Sequence, residues 1–157
     1  MADANSALRQ KVLAYLQAHN VMTLATTGPD GVWAAAVFYV NHTFTFYFLS
    51  APTTRHSRNI AAHPEVAATI QKDYGYSEWS QIQGVQLEGR ARQIKGAERA
   101  AAIARYGAKF PVVDTLPGTP AEIVAAMRHV AWYKVEPERL HFIDNSLGLG
   151  HRDEVLI

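Results

Sequence analysis

Two periodicities of apolar and polar residues run along the chain, and they predict a mixture of helices and strands. Apolar residues recur at helical spacing over residues 6–19, which predicts a helix with one buried face. Runs rich in β-branched and aromatic residues predict strands. The predicted strands are residues 21–27, 32–40, 44–49, 65–72, 82–94, 130–135 and 139–144. The further predicted helices are residues 53–62, 96–110 and 121–127.

The connections between the early strands indicate an antiparallel sheet. Residues 28–31 read Gly-Pro-Asp-Gly, which favours a tight hairpin, and residues 41–43 form a second short turn. Such turns are too short for the crossovers of a parallel sheet. The run 32–40 is long for one strand and is expected to be buried in part on both faces. We therefore predict a mainly β fold with helices (α+β), in which an antiparallel sheet forms a closed or partly closed barrel.

Three remaining stretches are predicted to be irregular. Residues 73–80 are polar and aromatic, residues 111–120 carry three prolines, and residues 145–150 form a glycine-rich tail. Gly89 interrupts the strand 82–94 and indicates a β-bulge or the close approach of another backbone.

Size and composition narrow the class of protein. A chain of 157 residues is expected to form a single domain over residues 1–157. The sequence contains no cysteine, which excludes disulfides, thiol nucleophiles and iron–sulfur clusters held by cysteine. Seven histidines are present, but none has a recognised metal-ligand spacing, so no metal site is predicted.

The charge balance predicts neither nucleic acid nor membrane as a partner. Fifteen basic and fourteen acidic side chains leave a net charge of +1, which provides no extended basic field. The N-terminal residues lack the pattern of a signal peptide, and no apolar run approaches the length of about 20 residues that spans a bilayer. We expect a cytoplasmic protein.

The segment from Phe46 to Pro64 carries the most informative polar residues. A predicted strand ends near Ser50, Pro52 is compatible with a first helical turn, and Thr54, Arg55 and His56 follow at the start of a predicted helix. Free N–H groups, hydroxyls and a guanidinium at a helix start form a plausible anion site. A capped helix with solvated charges is the alternative, and the residues alone leave both open.

Five motifs follow one another along the chain: Trp33-Ala-Ala-Ala-Val-Phe-Tyr39, Thr54-Arg-His56, Gly84-Val-Gln-Leu-Glu-Gly89, Phe110-Pro-Val112 and Asp144-Asn-Ser-Leu-Gly-Leu-Gly150. In this order they resemble the FMN-binding split barrel family, whose best-known member is pyridoxamine 5′-phosphate oxidase, and they resemble its YhbP-like branch most closely. The resemblance implies a split β-barrel that binds FMN.

The resemblance also implies where the flavin lies. Ser50, Thr54, Arg55 and His56 match the family's contacts to the phosphate and ribityl chain. His56 stands where the family has a lysine, and the strand from Trp33 lacks the family's basic residues.

The flavin ring is expected against the same strand, at Ala35, Ala36 and Val37. Small residues there would let a flat ring approach the backbone, although a buried strand packed under a helix also needs small residues.

Further contacts are expected from the second half of the chain. By resemblance, a glutamine, Gln83 or Gln86, reaches the polar edge of the flavin, and the C-terminal segment with Asn145 and Arg152 completes the site of the opposite subunit. The resemblance thus implies a homodimer with flavin at the subunit interface. Trp79 could cover the flavin or line a dimer groove.

Two functional hypotheses follow. The first is an FMN-dependent oxidoreductase in which the cofactor supplies the chemistry. The second is a non-catalytic module that binds or senses a flavin or haem. A deazaflavin or haem in place of FMN remains an open alternative, since some proteins with this fold bind haem.

Overall fold

An antiparallel sheet of eight strands dominates the structure, a computed structural model that describes residues 2–111 and 129–157. The strands are β1 (Val21–Gly28), β2 (Gly31–Phe38), β3 (Val40–His42), β4 (Thr45–Ser50), β5 (Glu65–Ile70), β6 (Gln83–Ile94), β7 (Ala131–Asp144) and β8 (Arg152–Glu154). The α-helices in the described residues are α1 (Ala2–Ala18), α2 (Arg55–Ala62) and α3 (Gly96–Lys109). Two 3₁₀ helices span Tyr76–Gln81 and Asn145–Leu147.

The strand order closes the sheet into a barrel. The order is β2-β1-β5-β6-β7-β4-β3, with β8 paired to β7. The two edge strands, β2 and β3, are separated in the chain by Tyr39 alone, so the opposite edges must lie next to each other. Tyr39 is buried, its N–H donates to Asn20 O at 3.0 Å, and its hydroxyl donates to Leu16 O at 2.7 Å. The predicted mainly β fold with helices, a split antiparallel barrel, is confirmed.

Alternating side chains fill the barrel interior. Met22 and Leu24 of β1 and Phe46 and Phe48 of β4 are fully buried there. Helix α1 covers the core with its predicted apolar face, which includes Val12 and Leu16 among the fully buried residues. The apolar residues that recur every second position along the strands and at helical spacing along α1 therefore pack into the same core.

The outer face of the sheet is covered unevenly. Helix α3 packs on one part of it through an apolar cluster that contains Tyr47, Ile94, Ala102 and Trp132. The outer face of β2, β1 and β5 is exposed, and small residues lie in register across it. Ala34 pairs with Ala25, which pairs with Ala67.

The predicted strand over residues 32–40 is interrupted, and the expectation of its burial is wrong for β2. Tyr39 turns into the core and divides the run into β2, which pairs with β1, and β3, which pairs with β4. Val32 is 82% exposed and Phe38 is 55% exposed, because β2 is an edge strand with an uncovered outer face.

Two predicted strands around Pro137 are one strand, β7. The register between β6 and β7 shifts at Glu88 and Gly89, and Pro137 lies opposite Gly89. A side chain at Gly89 would collide with the backbone of Glu136 and Pro137, so the predicted bulge and close approach are both present. Pro137 has no N–H to donate, and the bulge interrupts the β6–β7 hydrogen bonds at this position, so the strand accommodates the proline.

Other boundaries differ locally. The second predicted turn lies at residues 43–44, after β3, and a 3₁₀ helix occupies most of the predicted loop at 73–80. The glycine-rich tail is ordered: Gly148 and Gly150 adopt positive φ angles, and β8 follows and pairs with β7. The predicted helix 121–127 and all but the first residue of the predicted loop 111–120 lie outside the described residues.

Candidate functional site

The candidate site is the junction between β4 and α2. β4 ends at Ser50, and the N–H of Thr54 donates to Ala51 O at 3.1 Å, which forms a turn around Pro52. Helix α2 begins at Arg55, two residues later than predicted, because Thr54 is its N-cap and accepts a hydrogen bond from Ser57 N at 3.3 Å. The predicted end of the helix at residues 62–63 is confirmed.

The structure brings three of the four predicted phosphate contacts into one hydrogen-bonded cluster. His56 Nε2 lies 2.7 Å from Ser50 Oγ and 3.2 Å from Thr54 Oγ1, and the two hydroxyls are 3.1 Å apart. Ser57 Oγ lies 2.8 Å from Thr54 Oγ1 and extends the cluster. The hydroxyl and imidazole groups therefore hold each other in place at the first turn of α2.

His56 is buried between the hydroxyl cluster and Phe48. Its side chain is 9% exposed and its ring centroid is 6.3 Å from that of Phe48. Burial lowers the pKa of His56 below its ordinary value, since the charged imidazolium would lose hydration. The lowered pKa favours the neutral imidazole, so the fixed positive charge at the junction comes from arginine, with Arg55 beside the β1–β2 hairpin and Arg58 on the exposed side of α2.

Arg55 reaches from α2 to the β1–β2 hairpin. Its Nη2 donates to Asp30 O at 2.8 Å, and its guanidinium carbon lies 4.6 Å from the centroid of the Trp33 ring. Its Nε is buried and has no hydrogen-bond partner within the described residues. A buried donor without a partner is costly unless an acceptor binds there, so the junction is suited to an anionic oxygen such as that of a phosphate.

Helix α2 is fixed to the sheet by a buried amide. Asn59 Nδ2 donates to Thr26 Oγ1 at 3.0 Å, and Asn59 is 5% exposed. A side chain at Gly28 would overlap the Asn59 amide, which explains the need for glycine there. This contact holds the start of α2 beside the hairpin that carries Asp30.

The three predicted ring contacts on β2 divide between the two faces of the sheet. Ala35 pairs with Leu24 and is partly buried, and Val37 packs against the core. Ala36 pairs with the exposed Thr23 and lies on the outer face. A flat ring on the outer face would therefore contact Ala36 and the backbone of its neighbours.

Gln83 and Asn145 lie far from this junction within one chain. Gln83 begins β6, whereas Ile94, at the other end of β6, pairs with the part of β7 that adjoins Ser50. The two ends are separated by about 36 Å along the strand, at about 3.3 Å per residue. The structure thus does not bring Gln83 or Asn145 to Ser50 in the same subunit.

The side chains of Gln83 and Asn145 have partners at their own end of the barrel. Gln83 Nε2 donates to Asp144 Oδ2 at 3.0 Å. Asn145 Nδ2 donates to Trp79 O at 2.9 Å, and Asn145 Oδ1 accepts from Gly150 N at 3.0 Å. The Asn145 amide therefore holds the segments of Trp79 and Gly150 to the end of the sheet, whereas the Gln83 amide joins β6 to Asp144.

Asp144, which sequence reasoning did not single out, organises that end. It is 1% exposed and accepts from Lys11 Nζ at 2.5 Å and from Ser146 Oγ at 2.6 Å. Burial alone would raise its pKa, but the hydrogen bonds from Lys11 and Ser146 outweigh it and lower the pKa to about 2. An acidic residue at the end of a predicted strand was the available signal, but it did not reveal these partners.

Asp30 and Trp33 contact the Arg55 guanidinium, and the sequence did not predict either contact. The Asp-Gly turn predicts the hairpin, but nothing in the pattern shows that the turn meets a helix 25 residues further along the chain. The predicted motif did include Trp33, as part of the ring-binding strand.

The described residues carry neither a metal-binding cluster nor a membrane-spanning helix. Across residues 2–111 and 129–157, no group of three His, Cys, Asp or Glu side chains has the arrangement of a metal site. No helix in these two ranges has the length and apolar character required to cross a bilayer.

The sequence of the barrel matches one protein family over most of its length. The model of the pyridoxamine 5′-phosphate oxidase family matches residues 8–144. The chain belongs to this family. The match includes β1 to β7, α2 and the junction at Ser50, so the family assignment and the split-barrel fold agree.

Curated relatives place this family member near the UPF0306 proteins. It is 30% identical over 145 residues to a UPF0306 protein of Photorhabdus laumondii, covering 91% of this chain and 92% of the relative. It is 27% identical over 140 residues to the UPF0306 protein YhbP of Escherichia coli O157:H7, covering 88% and 86%. The resemblance to YhbP-like proteins is thus confirmed.

Solved structures with the same fold include proteins named for haem. A heme binding protein from Mycobacterium smegmatis is 25% identical with a TM-score of 0.64, covering 87% of this chain and 52% of that one. HutZ, the heme storage protein from Vibrio cholerae, is 17% identical with a TM-score of 0.66, covering 83% and 91%. The family fold therefore occurs in proteins named for haem binding and for haem storage.

Proposed function

We propose that this protein binds FMN at the β4–α2 junction and acts as a flavin-dependent oxidoreductase. The observation that carries the proposal is the buried Arg55 Nε, which lies at a helix start and has no hydrogen-bond partner among the described residues. Ser50, Thr54 and His56 form a hydrogen-bonded cluster of hydroxyl and imidazole groups at the same junction. Membership of the pyridoxamine 5′-phosphate oxidase family supports a flavin phosphate as the acceptor.

The residues of the junction would bind and orient the cofactor. Arg55 supplies charge, Ser50 and Thr54 supply hydroxyls, and His56 supplies a neutral imidazole. On β2, Ala36 and the backbone of its neighbours would provide a flat surface for the ring on the outer face of the sheet. Bound FMN would accept hydride or electrons from a substrate, and the protein would leave one face of the ring accessible.

The proposed site is completed by a second copy of the chain. Gln83 and Asn145 lie at the opposite end of the barrel from Ser50, so they could join one site only from the partner subunit. The uncovered face of β2, β1 and β5, with Ala34, Ala25 and other small residues, provides a surface on which two sheets could pack closely.

The outer surface beside this face carries charges of both signs. A cleft of about 380 Å³ is lined by Glu65, Glu88 and Glu138 among other residues. A neighbouring cleft of about 230 Å³ is lined by residues that include Glu88, Arg139 and Arg152. Two of the glutamates pair within the chain, Glu65 with Arg90 at 2.8 Å and Glu88 with Arg139 at 3.5 Å.

Spectroscopy of the purified protein tests the proposal. We expect flavin absorbance in the protein as isolated or after addition of FMN, and an increase in melting temperature with FMN. Bleaching of the flavin band by NADH or NADPH would identify an oxidoreductase, whereas stable binding without reduction would identify a non-catalytic module. A protein that neither absorbs in the flavin band nor gains thermal stability with FMN would contradict FMN binding.

Haem binding is the second candidate, and the haem-binding protein from M. smegmatis is the observation that favours it. In this case the chain would store or sense haem without flavin chemistry. Titration with haem under the same conditions distinguishes the two functions. A Soret band that shifts and saturates at stoichiometric haem, with no stabilisation by FMN, would support the haem candidate.

A further inference from the structure

The contact between Arg55 and the β1–β2 hairpin carries an inference about flavin recognition. Trp33 lies on β2 and covers the guanidinium at 4.6 Å, within the range of a cation–π contact. Asp30, in the turn before β2, accepts from Nη2 at 2.8 Å. The hairpin thus contacts the Arg55 group through both an aromatic ring and a carbonyl oxygen.

These contacts leave other parts of the guanidinium available. An arginine has five N–H donors in a planar fork, and the Asp30 carbonyl engages one nitrogen. The contact with the Trp33 ring uses none of the N–H donors, and among the residues that the structure describes Nε is buried without a hydrogen-bond partner. The hairpin therefore holds Arg55 in one orientation without consuming its capacity to bind an anion.

The orientation has an energetic consequence for binding. A free arginine side chain has many rotamers, and an anion that binds it must restrict them. Trp33 and Asp30 impose this restriction before any ligand arrives. Preorganisation of a bidentate donor increases the affinity for a ligand that carries a phosphate group. It does not increase the affinity for a ligand without a phosphate group.

We propose that Trp33 is a positioning residue that, with the carbonyl of Asp30, preorganises Arg55 for the phosphate of FMN. The inference rests on the proposed function, because it takes the flavin phosphate as the ligand of Arg55. It adds a specificity role for a residue on the ring-binding strand: Trp33 selects FMN over riboflavin by acting through Arg55.

Two matched variants separate the π contact from simple packing. Trp33→Leu removes the aromatic face and keeps an apolar side chain, whereas Trp33→Phe keeps an aromatic face. The measurement is the dissociation constant of FMN and of riboflavin for each protein, from quenching of flavin fluorescence. Riboflavin has the same ring and no phosphate, so it reports any direct contact between Trp33 and the ring.

For Trp33→Leu we expect FMN affinity to fall about tenfold and riboflavin affinity to change less than about twofold, given the strength of a partly desolvated cation–π contact. Trp33→Phe should recover most of the FMN affinity. Equal losses for both flavins, or no loss for either, would overturn the inference. A parent protein that binds neither flavin would instead contradict the proposed function.

Nuclear magnetic resonance tests whether Trp33 and Asp30 hold Arg55 in one orientation, and it does not depend on flavin affinity. The Nε–H signal of Arg55, assigned through its loss in Arg55→Lys, should show a ring-current shift in the parent that disappears in Trp33→Leu. The shift should persist after addition of FMN or inorganic phosphate. An Arg55 signal that is unaffected by Trp33, or that loses the shift when FMN binds, would overturn the inference.

Discussion

His56 Nε2 lies 2.7 Å from Ser50 Oγ, at the point where β4 gives way to α2. This contact joins the last residue of a strand to the first turn of a helix, and it places a buried imidazole at the proposed phosphate site. The lowered pKa favours neutral His56, so the fixed positive charge beside the β1–β2 hairpin resides on Arg55. Stability and ligand binding should both depend on this arrangement.

Stability should fall as the pH decreases through the titration of His56. Because burial lowers its pKa in the folded state, the unfolded chain takes up the proton first. The stabilisation is complete above the ordinary histidine pKa of about 6.5 and is lost as the pH falls through the folded pKa. Melting temperatures between pH 8 and pH 5 should therefore decrease more steeply for the parent than for His56→Gln. Identical slopes would show that His56 does not contribute.

Replacement of His56 by lysine should preserve or tighten FMN binding. A lysine places a fixed positive charge beside Ser50 and Thr54, where the parent has a neutral ring. In the free protein this charge is poorly solvated, so FMN should raise the melting temperature of His56→Lys more than that of the parent. Thermal unfolding with and without FMN measures the difference. A smaller shift in the variant would place the phosphate elsewhere.

A charge on the uncovered sheet face should prevent the proposed dimer. Ala25 lies at the centre of this face, between Ala34 and Ala67, and Ala25→Glu would bury a carboxylate between two copies. Light scattering should show a dimer for the parent and a monomer for Ala25→Glu. Ala100→Glu, on the exposed side of α3, is the matched control and should remain dimeric. A monomeric parent would contradict the shared site.

Removal of the Asp144 charge should destabilise the end of the barrel that holds Gln83. Asp144→Asn weakens the contacts to Lys11 and Ser146, and we expect a loss of about 2 kcal/mol in the free energy of unfolding. Since the pKa of Asp144 is about 2 in the folded state, its contribution is present above the unfolded pKa of about 3.9 and disappears as the pH falls towards 2.

Chemical denaturation at pH 7 and pH 3 measures this contribution. The deficit of Asp144→Asn relative to the parent should be larger at pH 7. Lys11→Met should also be destabilising at pH 7, because it leaves the buried Asp144 carboxylate without its cationic partner. A deficit that is equal at both pH values would show that the carboxylate charge is not involved.

The sequence predicts the helices and strands well where burial alternates regularly. Strand β1 and helix α1 carry clear periods of two and 3.6, and both lie as predicted apart from their ends. The break at Tyr39 was not predictable, because a continuous apolar run does not show which strand each half will pair with. Pro137 suggested two strands, but the bulge opposite Gly89 accommodates it within one.

The sequence predicts those parts of the candidate site that depend on local patterns, and not the contacts between distant segments. Thr54 and Arg55 were visible because helix caps and starts have local signatures. The contact between Arg55 and Asp30 joins two loops distant in sequence, and no local pattern encodes it. Gln83 was selected by resemblance, and its hydrogen bond to Asp144 emerged only from the three-dimensional structure.

Calorimetric titration of FMN into Arg55→Ala tests the central claim most directly. Arg58→Ala is the matched control, because Arg58 is an exposed arginine on the same helix and donates to the carbonyl of Thr53. The account predicts that the parent and Arg58→Ala bind FMN alike. It predicts that Arg55→Ala loses about 10- to 100-fold in affinity, as expected for a charge-assisted hydrogen bond. FMN binding by Arg55→Ala as tight as that of the parent would contradict the account.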